Sequence, residues 1–468
     1  MQEHRWVIAL GLFFLVSCAP QGESQVERRE VSLRVADQRH ASGAAVAGST
    51  ADYPRVTIKD DTRLALPMFN IAGKRLQTSS KLAIPAGARM ELAYGLEEPT
   101  AAPVAILVKA GSGAAEQILF NNRVGIGEPA GWTDLSLDLS AFEGDTQFSF
   151  EVLSYASNAG PPKVALSAPV IITEASGPPL RNVILISLDT LRADHMGIYG
   201  YQRDTSPKID QLFSTEGVVV ERTISQAADT FYGHLSIFTG MRPSTPLTFI
   251  PFGRTKLSKL SSWALTLPEV LRTAGYRTAA FTENALLMGG GVFNRGYEVY
   301  YEEKGVEGRT AETGGGGFAI PAAEGHIERT FGRGLEWIER HKDQPFFVFL
   351  HTYQVHTPYE PPAEYGHLFP TPVGSPRQRR ELDLYDREIR YTDDQVAILV
   401  EKLRTMGVLD DTVLIITSDH GEEFGEHGAR EHGASLKSEI LHVPLLLRAP
   451  GLLPEGVRRT GPFGLLDL

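Results

Sequence analysis

The rhythm of apolar and polar positions changes once along this chain, near residue 175. Before it the period is two. Leu135, Leu137 and Leu139 alternate with polar neighbours, as do Phe148, Phe150 and Val152. Val104–Val108 and Gln117–Phe120 read as further strands, and turn signals fall at Pro85-Ala86-Gly87 and Glu143-Gly144-Asp145. Alternation without a helical period predicts an all-β sandwich over residues 56–175. Glu174-Ala175-Ser176-Gly177-Pro178-Pro179 marks its end.

Beyond that boundary, unbroken apolar runs alternate with helical patterns. Asn182-Val183-Ile184-Leu185-Ile186-Ser187-Leu188 and Val413-Leu414-Ile415-Ile416-Thr417 are β-branched runs of the kind that buried parallel strands use. Thr278–Thr282 and Phe346–Leu350 predict two more strands. Thr266-Leu267-Pro268-Glu269 is a capping box that opens a helix running to Ala274-Gly275. Val396, Leu399, Val400, Leu403 and Met406 share one helical face, which Gly407 closes. The expected fold over 180–468 is therefore α/β, a mostly parallel sheet covered by helices. The Gly-rich stretch 289–325 is expected to be a surface excursion.

Both long apolar runs end on a carboxylate, Asp189 and Asp419, at the strand end where open α/β sheets carry their sites. His420 follows the second. Thr230 opens a helix-like segment between them. Asp189, Thr230, Asp419 and His420 together offer three oxygens and one nitrogen, a set able to hold one divalent metal with a hydroxyl against it.

The chain has 468 residues, 42% of them apolar and 22% charged, with a net charge of −12, which argues against nucleic acid as a partner. Its one cysteine, Cys18, excludes an internal disulfide. His4 and Arg5 precede an apolar run from Trp6 to Val16, which has the length of a signal-peptide core and is too short to span a bilayer. The run closes on Leu15-Val16-Ser17-Cys18, which resembles a bacterial lipobox. An ordinary secretory signal with a chance cysteine is the other reading. The lipobox implies a signal peptide over 1–18, lipidation of Cys18, and a polar tether over 19–55. Membrane attachment would then be through that lipid, at the bacterial cell envelope, facing periplasm or exterior.

Several segments together resemble one family. Leu188-Asp189-Thr190-Leu191-Arg192-Ala193-Asp194, followed by Gly197-Ile198-Tyr199-Gly200-Tyr201, is similar to the opening signature of the sulfatase family in the alkaline phosphatase superfamily. Thr417-Ser418-Asp419-His420-Gly421-Glu422, with Gly425-Glu426-His427-Gly428, is similar to its late metal motif. His351-Thr352-Tyr353-Gln354-Val355-His356-Thr357-Pro358-Tyr359 resembles its mid-chain histidine motif, and Tyr385 to Asp394 its pre-helix segment. The resemblance covers about residues 180 to 468 and implies the alkaline-phosphatase-like fold.

One segment departs from the pattern. The family carries Cys or Ser, then Pro two residues on and Arg two further, and converts the Cys or Ser to formylglycine. Counted back from Thr239-Gly240, this chain has Thr230, Tyr232 and His234 at those places. A secondary alcohol cannot follow that maturation. A threonine ester must instead be displaced by direct attack at the central atom, a step more accessible at phosphorus. Sulfate remains a live substrate, because bacterial sequences with Thr and His here are grouped as sulfatases.

The resemblance assigns the remaining roles. Thr190 stands where family members often have a second Asp. With His420 supplying nitrogen, zinc or manganese is favoured over calcium. His356 would contact the oxyanion or leaving group, His432 would act as general acid, and His234 would bind a non-bridging oxygen. Arg192 would contact substrate or pair with Asp194. His351 and His427 fit packing as well as function. The expected activity is metal-dependent hydrolysis of sulfate or phosphate esters of small molecules or glycans, with Thr230 as nucleophile and phosphodiester or phosphonate chemistry favoured. The alternatives are a phosphoryl-group transferase acting on an envelope acceptor and a non-catalytic glycan-binding lipoprotein. The resemblance implies a small C-terminal subdomain after Gly461–Leu468, which leaves a fragment and a truncated gene model both open.

Overall fold

The computed structural model describes residues 25–30 and 55–468, apart from breaks at 59–60, 67–68, 72–73, 79–80, 85, 100–101, 112–115, 143, 156–162, 176–179, 246, 253–254, 262, 284, 288–291, 304–309, 312–319 and 322–324. The 1–18 leader with Cys18, and the 19–55 tether apart from residues 25–30 and 55, lie outside the described residues. Among the described residues, no helix is long and apolar enough to cross a membrane. The described residues divide into two compact units, one up to Ala175 and one from Leu180 onward.

The N-terminal unit is built from antiparallel strands in two main sheets. One runs Gln25–Glu30, Val170–Ala175, Arg89–Leu96, Gly131–Asp138, with Val164–Leu166 also on Arg89–Leu96. The other runs Phe69–Ile71, Lys74–Thr78, Phe148–Ser154, Val104–Ala110, Gln117–Val124. Met90, Leu92, Leu137 and Leu139 from the first share one core with Ile106, Val108, Phe148, Phe150 and Val152 from the second, which makes the unit a sandwich. The period of two records which side chains enter that core. Leu135, at the outer end of its run, is only half-buried against it.

In the C-terminal unit the sheet order is Val299–Glu303, Arg277–Glu283, Phe346–Thr352, Asn182–Leu188, Thr412–Thr417, Leu445–Arg448, Val218–Ile224, and Val457–Gly464 also pairs with Val218–Ile224. The first five strands are mutually parallel, and Leu445–Arg448 runs antiparallel between its neighbours. Every residue of Asn182–Leu188 is buried. Ile184, Ile186 and Leu188 enter the core beneath helices Pro207–Glu216, Ile327–His341 and Arg377–Thr405. Val183 and Leu185 enter the core under helices Thr230–Thr239 and Leu267–Thr273. A strand covered on both faces has no polar side to show, so its sequence does not alternate.

The capping box forms as expected. The Thr266 hydroxyl accepts from Glu269 N–H, and Glu269 accepts from Thr266 N–H at 2.9 Å. The 289–325 excursion needs correction. Val299–Glu303 lies within it and pairs in parallel with Arg277–Glu283, with Val299 and Tyr300 buried. The glycines around this strand conceal a segment too short to register as a periodic run.

Long-range bonds set the loops above the sheet. The Tyr385 hydroxyl accepts from Arg192 N–H at 2.9 Å and donates to Thr190 O at 2.8 Å. Asp386 accepts from His195, Tyr201 and Arg203. The segments 188–203 and 383–394 are thus two sides of one buried polar joint.

Candidate active site

Asp189 follows directly on the central strand, and its N–H donates to Thr352 O at 3.1 Å. The next residue, Thr190, is left-handed (φ 58°), a conformation that a β-branched residue rarely adopts and that the surroundings must enforce. The Thr190 hydroxyl donates to Val355 O at 3.0 Å. That role leaves Asp189 as the only carboxylate of the turn at the site.

Helix Thr230–Thr239 begins beside the end of the neighbouring strand Thr412–Thr417. Asp229 is its N-cap and accepts from Tyr232 N–H at 3.0 Å. Thr230 is therefore free of the capping role that a threonine at a helix start commonly takes. Its hydroxyl lies 3.3 Å from His420 Nε2. Gly233, one turn on, lets the helix approach so closely that a Cβ there would stand 2.9 Å from Asp419 O.

Asp189, Asp419 and His420 are fully buried and offer ligand atoms within 4.8 Å of one another. His420 Nε2 is 3.3 Å from Asp419 Oδ2 and 3.9 Å from Asp189 Oδ1. His420 Nδ1 lies 2.9 Å from Gly421 O. A carbonyl only accepts, so Nδ1 carries the proton and Nε2 presents its lone pair to the carboxylates. Asp189 Oδ1 and Asp419 Oδ2 are buried and find no hydrogen-bond partner among the described residues. Two orphaned carboxylate oxygens facing a bare imidazole nitrogen call for a cation, so the residues fit a divalent metal. Burial pushes Asp189 up to about 7. Burial, then the neighbouring Asp189, pushes Asp419 up to about 8. In the absence of a cation, protons take its place.

His432 stacks beside His420 with ring centroids 4.4 Å apart, and His356 lies 5.0 Å from His432. Burial works against charge on His432. The bond to Glu422 Oε1 at 3.1 Å, together with the negative charges of Glu422, Asp189 and Asp419, outweighs it and carries His432 up to about 9, which favours the imidazolium at neutral pH. Glu422 Oε2 accepts in turn from the Tyr359 hydroxyl at 3.0 Å. His356 goes the other way, down to about 4, through burial and the neighbouring His432.

The structure thus brings Thr230, Asp189, Asp419, His420, His432 and His356 together. One expected substrate contact needs correction, and Arg192 takes the second of its two expected roles. His234 is fully buried, with Nδ1 at 2.8 Å from Thr230 O and Nε2 at 2.9 Å from the Ser187 hydroxyl. Both nitrogens are occupied, so His234 braces the first helical turn and binds no substrate oxygen. Arg192 is buried, and its guanidinium bonds to both oxygens of Asp194, to Glu426 and to Glu422 O. It makes the expected pair with Asp194 and ties together the loops that carry Asp189 and Asp419, leaving its guanidinium fully engaged.

Two contributors carried no distinct sequence signal for their roles. His351 Nε2 donates to Asp189 Oδ2 at 3.1 Å, and burial holds its ring neutral with a value of about 3. Glu422 is the hydrogen-bonding partner of His432 and helps to raise it. The His351–Asp189 pair spans 162 residues and emerges only when the two strands lie side by side.

The Sulfatase family model matches residues 181–466. The chain is 25% identical over 358 residues to human iduronate 2-sulfatase, covering 60% of this chain and 62% of that protein. It is 22% identical over 330 residues to the ulvan-active sulfatase of Formosa agariphila, covering 64% of this chain and 62% of that one. It therefore spans less than two thirds of the length of these curated relatives. Among solved structures, Ps i-CgsB in complex with k-i-k-neocarrahexaose shares the fold at a TM-score of 0.50 and 20% identity, over 61% of this chain and 70% of that one.

Proposed function

Since the chain belongs to the sulfatase family, we propose that it is a metal-dependent ester hydrolase that uses Thr230 in place of formylglycine. The observation that carries this reading is the Thr230 hydroxyl, uncapped at a helix N-terminus and 3.3 Å from the bare Nε2 of His420. Asp189, Asp419, His420 and Thr230 would hold the metal, for which the mixed oxygen and nitrogen set favours zinc or manganese over calcium. When bound, such an ion lowers the pKa of a coordinated hydroxyl and polarises the ester.

The chain's own groups divide the rest of the work. Thr230 Oγ gives up its proton to solvent, attacks phosphorus or sulfur, and forms a covalent ester as the bond to the leaving oxygen breaks. His432, held as an imidazolium by Glu422, donates its proton to the departing oxygen. Water then gives a proton to the now neutral His432 and attacks the same central atom, and Thr230 Oγ departs and regains a proton from solvent. One imidazolium and one metal suit singly charged esters: phosphodiesters, phosphonate monoesters or sulfate monoesters of small molecules or glycans. Threonine favours the phosphorus members, because a sulfated threonine lacks the elimination route open to a formylglycine hydrate.

We place the protein at the bacterial envelope, anchored through Cys18. The support is the apolar run that ends at this sole cysteine.

The test is turnover of p-nitrophenyl sulfate, p-nitrophenyl phenylphosphonate and bis(p-nitrophenyl) phosphate with added Mn²⁺ or Zn²⁺. Wild type should turn over at least one of them, and Thr230→Ala should lose that activity. Equal turnover by both proteins would refute the assignment.

A further inference from the structure

Glu283 ends the strand Arg277–Glu283 and is 1% exposed. Nothing in the chemistry above uses it, and burying a carboxyl group is costly unless its oxygens are satisfied. Its surroundings satisfy them. Oε2 accepts from Tyr353 N–H at 2.7 Å and from the Thr352 hydroxyl at 3.1 Å. Oε1 accepts from the Thr330 hydroxyl at 3.0 Å, in the first turn of helix Ile327–His341. One carboxyl group therefore ties the end of the strand Phe346–Thr352 to the start of a helix.

The tied segment is the bed on which Asp189 rests, and three bonds join them. His351 Nε2 donates to Asp189 Oδ2 at 3.1 Å. Asp189 N–H donates to Thr352 O at 3.1 Å. The Thr190 hydroxyl donates to Val355 O at 3.0 Å. The Tyr353 ring, whose N–H Glu283 holds, stands edge-on to the His351 ring at 4.6 Å and packs on His356 at 5.5 Å. A displacement of residues 352–353 would thus reach Asp189 through the backbone and through the imidazole at once.

We propose that Glu283 is a positioning residue for the metal site, fixing the 351–355 segment so that His351 and Thr352 O hold Asp189 in place. The proposal rests on the reading of Asp189 as a metal ligand. Glu283 touches neither metal nor substrate and acts through Thr352 and Tyr353. A carboxyl group serves here because it can meet donors from a hydroxyl, a backbone N–H and a second hydroxyl at the same time. An amide offers one accepting oxygen and sets two N–H donors against the rest.

The experiment is calorimetric titration of Mn²⁺ and Zn²⁺ into metal-free wild type, Glu283→Gln and Thr330→Val, with melting curves and kcat and KM from the same preparations. Metal affinity in Glu283→Gln should fall at least tenfold, in line with losses seen when groups behind metal ligands are removed. kcat should fall with it at saturating metal, with KM little changed. Thr330→Val keeps the Tyr353 and Thr352 bonds, is the milder change, and should show the same trend at a smaller size. If Glu283→Gln does not fold, Thr330→Val carries the test alone. Folded variants that melt lower but bind metal as wild type does would overturn the proposal and leave Glu283 a structural bond. Wild type that binds no metal would instead overturn the underlying reading of the site.

Discussion

Substitution of Gly233 by alanine tests how closely the helix that begins at Thr230 is held to Asp419. A Cβ at Gly233 would lie 2.9 Å from Asp419 O and 3.1 Å from Asp419 Cβ. Asp419 cannot easily retreat, because its carbonyl accepts from the Ser225 hydroxyl and its side chain is enclosed by His234 and His420. The helix must move instead, by about 0.5 Å to regain ordinary contact. Overpacking of this kind costs about 1–3 kcal/mol, and replacing a helix-interior glycine returns up to about 1 kcal/mol. A net loss of roughly 0–3 kcal/mol leaves the protein folded. Catalysis should suffer more. A misplacement of about 1 Å can cost about 100-fold, so half of that predicts roughly a tenfold loss of kcat. Gly332 is the control, since a Cβ there meets nothing within 4 Å. Gly332→Ala should stabilise by about 0.5–1 kcal/mol and leave kcat alone. The assay is kcat and chemical denaturation for both variants at saturating metal. Wild-type kcat in Gly233→Ala would refute the claim that the spacing between Thr230 and Asp419 governs the reaction.

Further outcomes follow from the same geometry. His432→Gln should slow esters with poor leaving groups far more than p-nitrophenyl esters, which depart without a proton; an equal loss on both would remove the general-acid role. Asp189 and Asp419 are raised to about 7 and about 8, so without metal the folded state holds protons that the unfolded chain releases near pH 4. Metal-free stability should therefore fall as pH rises from 5 to 8. The rise in Tm on adding metal should grow over the same window, because the ion takes the protons' place; an equal rise at pH 5 and pH 8 would contradict this. Arg192→Lys should lower Tm through loss of the fork to Asp194 while changing KM by less than about twofold; a large rise in KM would restore Arg192 to substrate binding.

The sheet was legible because the strands that carry the site are covered on both faces and so lack polar interruptions. Val299–Glu303 was not, because a short strand among glycines has no period to detect. Within the site, residues defined by strand ends and motif offsets were legible: Asp189, Asp419, His420 and Thr230 come together as one cluster. Residues defined by their partners were not. His234 and Arg192 have the right chemistry and location for substrate, but Ser187, the Thr230 carbonyl, Asp194 and Glu426 already occupy them. His351 and Glu422 gain their roles from contacts that no local pattern encodes.

The central claim is that Thr230 becomes covalently modified during turnover at a metal site built from Asp189, Asp419 and His420. The direct measurement is peptide-mapped mass spectrometry of enzyme quenched in acid during turnover of the best substrate, with and without chelator. A phosphoryl, phosphonyl or sulfuryl adduct is expected on the peptide containing Thr230, absent after chelation and absent in Thr230→Ala. Turnover with no adduct on Thr230 at any quench time, and full activity in Thr230→Ala, would contradict it.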